Sequence, residues 1–571
     1  MCGILLHQKD NITENEFKSN LKRLSHRGPD YYDIYKYNNI YLGHTRLSII
    51  DLSDLGNQPM ISSCSNYIIS FNGEIYNYNK LKKQLTLKGF SFKSNSDTEV
   101  LLNGYIEYGR SILNKLDGIF SFIIIDKKRD KIFFARDQFG VKPLYYYKTN
   151  SEFIISSESR IFDKYCQIDS LTKILFLSHG YIPSPKTIYS GVKSLKPGHY
   201  GYLTKNDLLI NQYFCVSALF RSKLKTFDEE KLFSAVSKQM ISDAKIGFFL
   251  SGGIDSSIIT FIASKLKNDL ETYSINFEKH QDEKKYQKIL TDLLDINNKE
   301  MILSFEDFKN YYEKFISSMD QPTIDGFNTF FVSSLAKKNN AKVAFSGVGA
   351  DELFYGYPTH KLYFKKLILN LINLIPTFFL PNKMKKIDYL SLDNDYGYYL
   401  AQRGIFSLEE ISKILSLDKI FIIDYLNSFI KNDLKKVSKL NFKDTMGFFE
   451  LTKYMEGQLL RDTDIFGMSN SIEIRVPYLD KFLVKHALSI SSSYKLSPKM
   501  NKIILIEKFM NEIPKEIYQR RKKGFELPYK NWLNKLKLNE KICDSKYTNI
   551  LKNVHWSKLW AINIMSIKYL K

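Results

Sequence analysis

Residues 246–263 read IGFFLSGGIDSSIITFIA, and the architecture turns on them. Ile246 to Leu250 is a short apolar run, Ser251-Gly252-Gly253 is a turn of small residues, and Ile254 onward takes up helical spacing. A buried strand that runs straight into a helix predicts a parallel α/β sheet. Small residues at such a junction let backbone N–H groups approach an anion, and the helix start favours negative charge. No GK[ST] follows, so this is not a Walker loop. Downstream, Thr272 to Phe277 and Val343 to Phe345 are further apolar runs alternating with helical patterns. Beyond Pro381 the chain reads mostly helical, rich in Leu, Ile and Lys. Upstream the texture differs. Short β-like runs at Asn39–Leu42, Tyr67–Phe71, Ser121–Ile125, Lys131–Ala135 and Glu152–Ser156 lie between turn signals and predict packed antiparallel sheets. The texture changes at about Phe227, and the turn Lys205-Asn206-Asp207 places the boundary within 205–230.

A chain of 571 residues with 44% hydrophobic and 14% aromatic content can bury large cores, which excludes a disordered or fibrous class. The five cysteines (Cys2, Cys64, Cys166, Cys215, Cys543) are scattered and contain no CxxC pair, as expected of a reducing cytoplasm and not of a disulfide framework. The net charge of +22 comes from lysines spread along the whole chain, with no arginine-rich run, so nucleic acid is not an expected partner. The N-terminus lacks the apolar core of a signal peptide. Leu367 to Leu380, interrupted by Asn370, Asn373 and Pro376, is too short for the ~20 apolar residues of a membrane span. It reads as a buried helix ending near Pro376. The lysines on both flanks leave association with a membrane surface open.

Cys2 carries the first chemical signal. Removing Met1 would leave its thiol one residue from a free α-amine, which titrates near ~7.7 and can act as base, so one residue supplies both attacker and base. A lone second-position cysteine is weak evidence, but more follows: His26-Arg27-Gly28-Pro29-Asp30, Gly43-His44-Thr45-Arg46-Leu47-Ser48-Ile49, Asn72-Gly73-Glu74-Ile75-Tyr76-Asn77 and Ser96-Asp97-Thr98-Glu99. In order and spacing this series resembles the class II glutamine amidotransferase domain. The resemblance makes Cys2 the nucleophile, and Asn72 and Gly73 the donors to the oxyanion of a thioester-forming reaction. Arg46 is suited to the α-carboxylate of glutamine, and Glu74 and Asp97 to its α-ammonium. Taken singly, Asn72-Gly73 could be a hairpin turn and Arg46 a surface ion pair.

Ser251 to Ser257 resembles the SGGxDS pyrophosphate loop of enzymes that split ATP between the α and β phosphates to form an adenylate. A second element follows Val343–Phe345, at Ser346-Gly347-Val348-Gly349-Ala350-Asp351-Glu352. By the resemblance, Leu250, Ser251, Gly252, Gly253, Asp255, Ser256, Ser346 and Gly347 contact ATP, and the backbone near Ile275 packs on adenine. Asp255 with Asp351 is the natural pair for Mg²⁺, which takes a few carboxylates plus phosphate oxygens. In Arg520-Arg521-Lys522-Lys523-Gly524-Phe525, Lys522 falls where the family holds a lysine against the α-phosphate, and Lys523 is an alternative one residue away.

Nearly the whole chain is similar to asparagine synthetase of the glutamine-hydrolysing kind, most thinly between Thr359 and Lys443. The fold this implies is a four-layer αββα N-terminal-nucleophile glutaminase domain over 1–210. Behind it, over 227–571, comes a parallel-sheet ATP-pyrophosphatase-type synthetase domain with a helical C-terminal region. The implied activity is amide formation on a carboxylate from glutamine and ATP, in the cytoplasm. Ammonia would cross a tunnel lined by apolar and small side chains where the domains meet. A homodimer is compatible with this reading. Val348 departs from the pattern, because that position often carries an acid thought to help handle the acceptor or ammonia. Ile465 and Gly467 depart nearby. Either Glu352, Asp320 or Asp325 takes the role in an aspartate-amidating enzyme, or the acceptor is another carboxylate such as a uronic-acid sugar.

Overall fold

The computed structural model describes residues 2–205, 207–220, 224–278, 282–372, 381, 384–497, 500–520, 528–536 and 555–569. Lys522, Lys523 and Cys543 therefore lie outside the described residues.

The front of the chain builds two antiparallel sheets. One contains Gly3–Lys9 (β1), Tyr31–Tyr37 (β2), Ile40–Arg46 (β3), Tyr145–Lys148 (β8), Glu152–Ser156 (β9) and Lys193–Ser194 (β10), in the order β10-β8-β9-β1-β3-β2. The other contains Met60–Ile61 (β4), Tyr67–Ile75 (β5), Gly118–Asp126 (β6), Lys131–Arg136 (β7), His199–Leu203 (β11) and Leu208–Gln212 (β12), in the order β12-β11-β7-β6-β5-β4. Alternate side chains of a strand point to opposite faces, and here both faces are covered. Ile4 and Leu6 of β1 join Ile68, Ile123 and Phe134 in the core between the sheets. Leu5 faces the other way, onto Phe17 and Leu21 of the helix Glu14–Lys22. On the far side, Ile69 and Phe71 pack against Leu81 and Leu85 of Tyr78–Thr86 and Leu101 of Asp97–Tyr108. The result is helix, sheet, sheet, helix. It is the four-layer arrangement expected for this part of the chain, and burial on both faces explains why its strands read as nearly continuous apolar runs.

The rear sheet is parallel: Ile246–Phe249 (β13), Glu271–Phe277 (β14), Asn297–Leu303 (β15), Val343–Phe345 (β16) and Glu473–Arg475 (β17), in the order β15-β14-β13-β16-β17. Three of these strands were foreseen. β17 was not, since three residues within a helical stretch give no period to read. It pairs with β16 through Val343–Glu473, Ala344–Ile474 and Phe345–Arg475. The C-terminal helices include a π-helical segment over Glu450–Leu460, a rare form often found beside functional sites.

One expectation fails. The stretch opening at Leu367 is helical over Lys366–Ile372 but not buried there, and its expected end near Pro376 lies outside the described residues. Leu367, Ile368 and Leu371 are 74%, 56% and 60% exposed. Leu369 and Leu362, on the opposite face, are the residues that pack inward. Apolar content alone does not say which side of a helix finds a partner. No described helix is long and apolar enough to cross a membrane.

Candidate active sites

The N-terminal strand β1 delivers Cys2 to the edge of a small cavity of about 30 Å³. Arg46, Gly73, Glu74 and Asp97 line the same cavity. Asn72 and Gly73 are not a hairpin turn, for both lie inside β5. The Cys2 backbone nitrogen donates to Asn72 Oδ1 at 2.9 Å, which fixes the carboxamide. Among the described residues its Nδ2 has only a long 3.5 Å contact to Ser121 Oγ, so it keeps capacity to donate. Gly73 is required by its surroundings. Its φ is +152°, and a Cβ would stand 2.1 Å from the carbonyl oxygen of Ile119 on β6. Replacing Asn72 with Ala is expected to lower glutamate release from glutamine by roughly 10²–10³-fold, the usual cost of one lost oxyanion donor. Ammonia-driven amide formation should be unaffected, and a chain that still released glutamate at the parent rate would exclude Asn72 from the role.

Arg46 is held by the loop that follows β3. It donates to the Ser53 carbonyl at 2.8 Å, to Asn57 Oδ1 at 2.7 Å and to the Asp51 carbonyl. These acceptors are neutral, and among the described residues Arg46 makes no ion pair, so its charge remains available to a ligand carboxylate. Opposite it stand two buried carboxylates. Asp97 caps the cavity while accepting from the Ile75 N–H at 2.9 Å, and burial lifts its carboxyl to about 6. Burial also raises Glu74, with Glu473 adding to the effect. A bound ammonium would restore both to the charged form.

Glu74 has a neighbour that the sequence did not reveal. Arg475 of β17, from the rear sheet, brings Nη2 to 3.5 Å from Glu74 Oε1 and donates from Nε to Glu473 Oε1 at 2.7 Å. Burial works against the Glu473 carboxylate, but the Arg475 guanidinium holds it down at about 2. The seam carries other buried pairs, Arg27–Asp464 at 2.8 Å and Arg136–Glu456 at 3.0 Å. It is also apolar. Leu47 and Ile49 line the front cavity and belong to the same core cluster as Phe248 and Leu250 of the rear sheet.

In the rear half, β13 ends at Phe249 and the helix Ile254–Leu266 begins after four intervening residues. Gly252 turns the loop with φ +74°, and the Ser256 hydroxyl bonds Ser251 Oγ at 3.1 Å and the Gly253 carbonyl at 3.0 Å. Gly347 lets the second loop close onto the first, since a Cβ there would meet Asp255 Cβ at 3.0 Å. Ile275 lies on the neighbouring strand β14, and the Leu250 N–H bonds the Tyr273 carbonyl of that strand at 3.0 Å. Arg520 borders the loop, stacked on Tyr286 and paired with Glu283 at 2.8 Å.

Asp255 and Asp351 converge on one cation. Lys502 places Nζ 2.5 Å from Asp255 and 2.7 Å from Asp351. Burial alone would lower the lysine pKa, but the two carboxylates raise it and hold it charged. Sequence reasoning passed over Lys502, which is one cation among 83 lysines and arginines with no motif around it.

Residues 229–558 match the asparagine synthase family, and residues 1–214 match the glutamine amidotransferase domain family. The chain belongs to the asparagine synthase family. It is 32% identical to asparagine synthetase [glutamine-hydrolyzing] 1 of Bacillus subtilis, over 95% of this chain and 89% of that one. It is 29% identical to asparagine synthetase [glutamine-hydrolyzing] 3 of the same organism, over 92% and 87%. Amidase chry2 of Gibberella zeae is 25% identical over 90% and 85%. The chain is thus a glutamine-dependent amidotransferase of the asparagine synthetase type, with ATP as a substrate.

Within this family member, the three candidate acids separate. Asp320 is committed to the seam, where its oxygens accept from the Ser159 and Arg160 N–H groups at 2.9 and 2.7 Å. Glu352 follows Asp351 and accepts from Tyr357 Oη at 2.8 Å, while burial and Asp351 lift it to about 7. Asp325 lines a larger cavity of about 430 Å³. Arg403 forms another wall, its guanidinium sandwiched between the rings of Tyr357 (4.1 Å) and Tyr454 (3.7 Å). Its Nε and Nη2 bind Glu450, and Nη1 makes no hydrogen bond among the described residues. Asn328, also in the lining, has a buried Oδ1 with no partner among the described residues. Asp351, Glu352, Tyr357 and Arg403 thus form a continuous path from the paired carboxylates to this cavity.

Proposed function

We propose that the chain amidates the side-chain carboxylate of aspartate, using ammonia released from glutamine and activation by ATP. One observation supports this acceptor above others: Asp325, the Asn328 carbonyl and the Arg403 Nη1 edge line a single cavity. A carboxylate and a neutral acceptor suit an α-ammonium, and a guanidinium edge suits an α-carboxylate. Together they are complementary to the backbone end of an amino acid and leave its side chain free to react. The names of the Bacillus subtilis relatives agree with this reading.

In the front domain, proposed to span 1–210, the Cys2 thiolate attacks the glutamine amide carbonyl. Asn72 Nδ2 and the Gly73 N–H stabilise the oxyanion, ammonia leaves, and water releases glutamate from the thioester. Arg46 binds the substrate's carboxylate, and Glu74 and Asp97 bind its ammonium. Ammonia passes along the apolar seam that includes Leu47 and Ile49. In the rear domain, proposed to span 227–571, ATP lies against Leu250 to Gly253, Ser256, Ile275, Ser346 and Gly347. The acceptor carboxylate attacks the α-phosphorus, pyrophosphate leaves, and ammonia then displaces AMP. Asp255 and Asp351 would hold Mg²⁺. Their convergence on the Lys502 ammonium supports this, because two carboxylates that accommodate one cation form a fitting donor set. When bound, the ion would neutralise charge on the departing pyrophosphate, with Lys522 as an added cation.

A second acceptor class has one observation in its favour. About 430 Å³ with the aromatic side chains of Tyr181, Tyr399, Tyr454 and Trp556 in its wall is more room than aspartate needs. A uronic-acid sugar would use it. Pyrophosphate release measured across aspartate, glutamate, uronic acids and short acidic peptides decides between them. The aspartate reading expects aspartate to give the largest kcat/KM. Release with a uronic acid and none with aspartate would overturn it.

A further inference from the structure

Most exposed large apolar residues of this chain fall singly or in pairs along the sequence, as is normal. The exception is the segment Pro358–Ile372, where a 3₁₀ turn (Pro358–Lys365) runs into the helix Lys366–Ile372. Tyr363, Phe364, Leu367, Ile368 and Leu371 are each about half or more exposed. Leu367, Ile368 and Leu371 share one face of the α-helix, and Tyr363 and Phe364 of the 3₁₀ turn extend the apolar run ahead of it. Leu362 and Leu369 on the reverse side supply the contacts with the body of the protein. The helix is thus anchored by one face and presents the other, apolar, to the outside.

Charge says what that face suits. Between Glu352 and Asp388 the chain has Lys361, Lys365, Lys366, Lys383, Lys385 and Lys386 and no acidic residue. Lys443, from a neighbouring helix, adds a cation 4.3 Å over the Tyr363 ring. Lys366 pairs with Asp395 at 3.7 Å. An apolar stripe rimmed by lysines is complementary to a surface that is apolar beneath and anionic on top. Polybasic amphipathic segments bind such bilayers by burying their apolar face ~5–10 Å deep while their lysines meet the headgroups. Lys365 beside Phe364 is exposed, and Lys366 and Lys443 stand beside the stripe, so the cations nearest the apolar face suit anionic headgroups.

We infer that the segment Pro358–Ile372 docks the protein peripherally onto an anionic lipid surface through Tyr363, Phe364, Leu367, Ile368 and Leu371, with Lys365 among the headgroup contacts. This lies outside both candidate active sites and does not depend on which acceptor is amidated.

The test is sedimentation of the full chain with vesicles of phosphatidylcholine alone and of phosphatidylcholine mixed with phosphatidylglycerol. Binding is expected only to the mixed vesicles, with loss on raising salt. The triple variant L367Q/I368Q/L371Q and the single variant K365E should each lower the bound fraction, the triple variant by about tenfold or more. Thermal unfolding midpoints equal to the parent's establish that both variants fold. Three results overturn the inference: no binding to anionic vesicles, equal binding by the triple variant, or a concentration-dependent dimer that the triple variant abolishes. The last would mean that a second copy covers the face.

Discussion

Cys2→Ala is expected to abolish glutamine-dependent amide formation, by about 10³-fold or more, while ammonia-dependent amide formation and pyrophosphate release continue. Among the described residues Cys2 is the only thiol lining the front cavity, and Arg46, Gly73, Glu74 and Asp97 line it too. Alanine keeps the backbone N–H that bonds Asn72 Oδ1, so the variant removes the nucleophile without disturbing the strand. The rear loops lie on β13 and β16 of another sheet and share no residue with the front cavity. Assays of glutamate, AMP and pyrophosphate with each nitrogen source separate the outcomes. Loss of ammonia-driven turnover along with glutamine-driven turnover would show that the two chemistries are not separable in this chain.

The complementary change is Asp351→Asn. It should stop pyrophosphate release with either nitrogen source, by about 10²-fold or more, while glutamate release from glutamine persists. Asparagine keeps the shape but removes one of two charges that converge on Lys502. A cation cradle of two carboxylates then has a single charge, already matched by a buried lysine, and nothing is left over for a divalent ion. Titrating magnesium should move the half-maximal concentration upward in this variant, which a merely structural defect would not do. Pyrophosphate release at the parent's rate would sink the assignment of Asp351.

Much of this molecule was legible because its informative residues are local in sequence. The strand-to-helix junction at Ile246–Ser257 declares itself through apolar β-forming residues beside small ones, and the structure builds β13, the turn and the helix there. Several front strands are runs of five or more mostly apolar, β-forming residues bounded by turn signals, long enough to be read as strands. What stayed hidden depends on contacts across the fold. Lys502 acquires its place only when the segment around it packs against loops some 150 and 250 positions earlier. β17 is three residues whose strand character comes wholly from pairing with β16. The exposed face at Leu367–Leu371 misled because composition reports how apolar a segment is, and sidedness belongs to the neighbours. Among the three candidate acids, Asp320 was a fair choice by residue type, yet both its oxygens are taken by backbone N–H groups across the seam.

The reach of Arg475 from β17 to Glu74 carries an implication for building hybrids. The front layers cannot be treated as a cassette, to be cut out and spliced onto another acyl-activating module. The recipient must offer a guanidinium at the same spot, or the transplanted carboxylate arrives without its counterion. Successful chimaeras should therefore be those in which the short strand travels with the glutaminase, although some four hundred residues separate Glu74 from Arg475 in the chain.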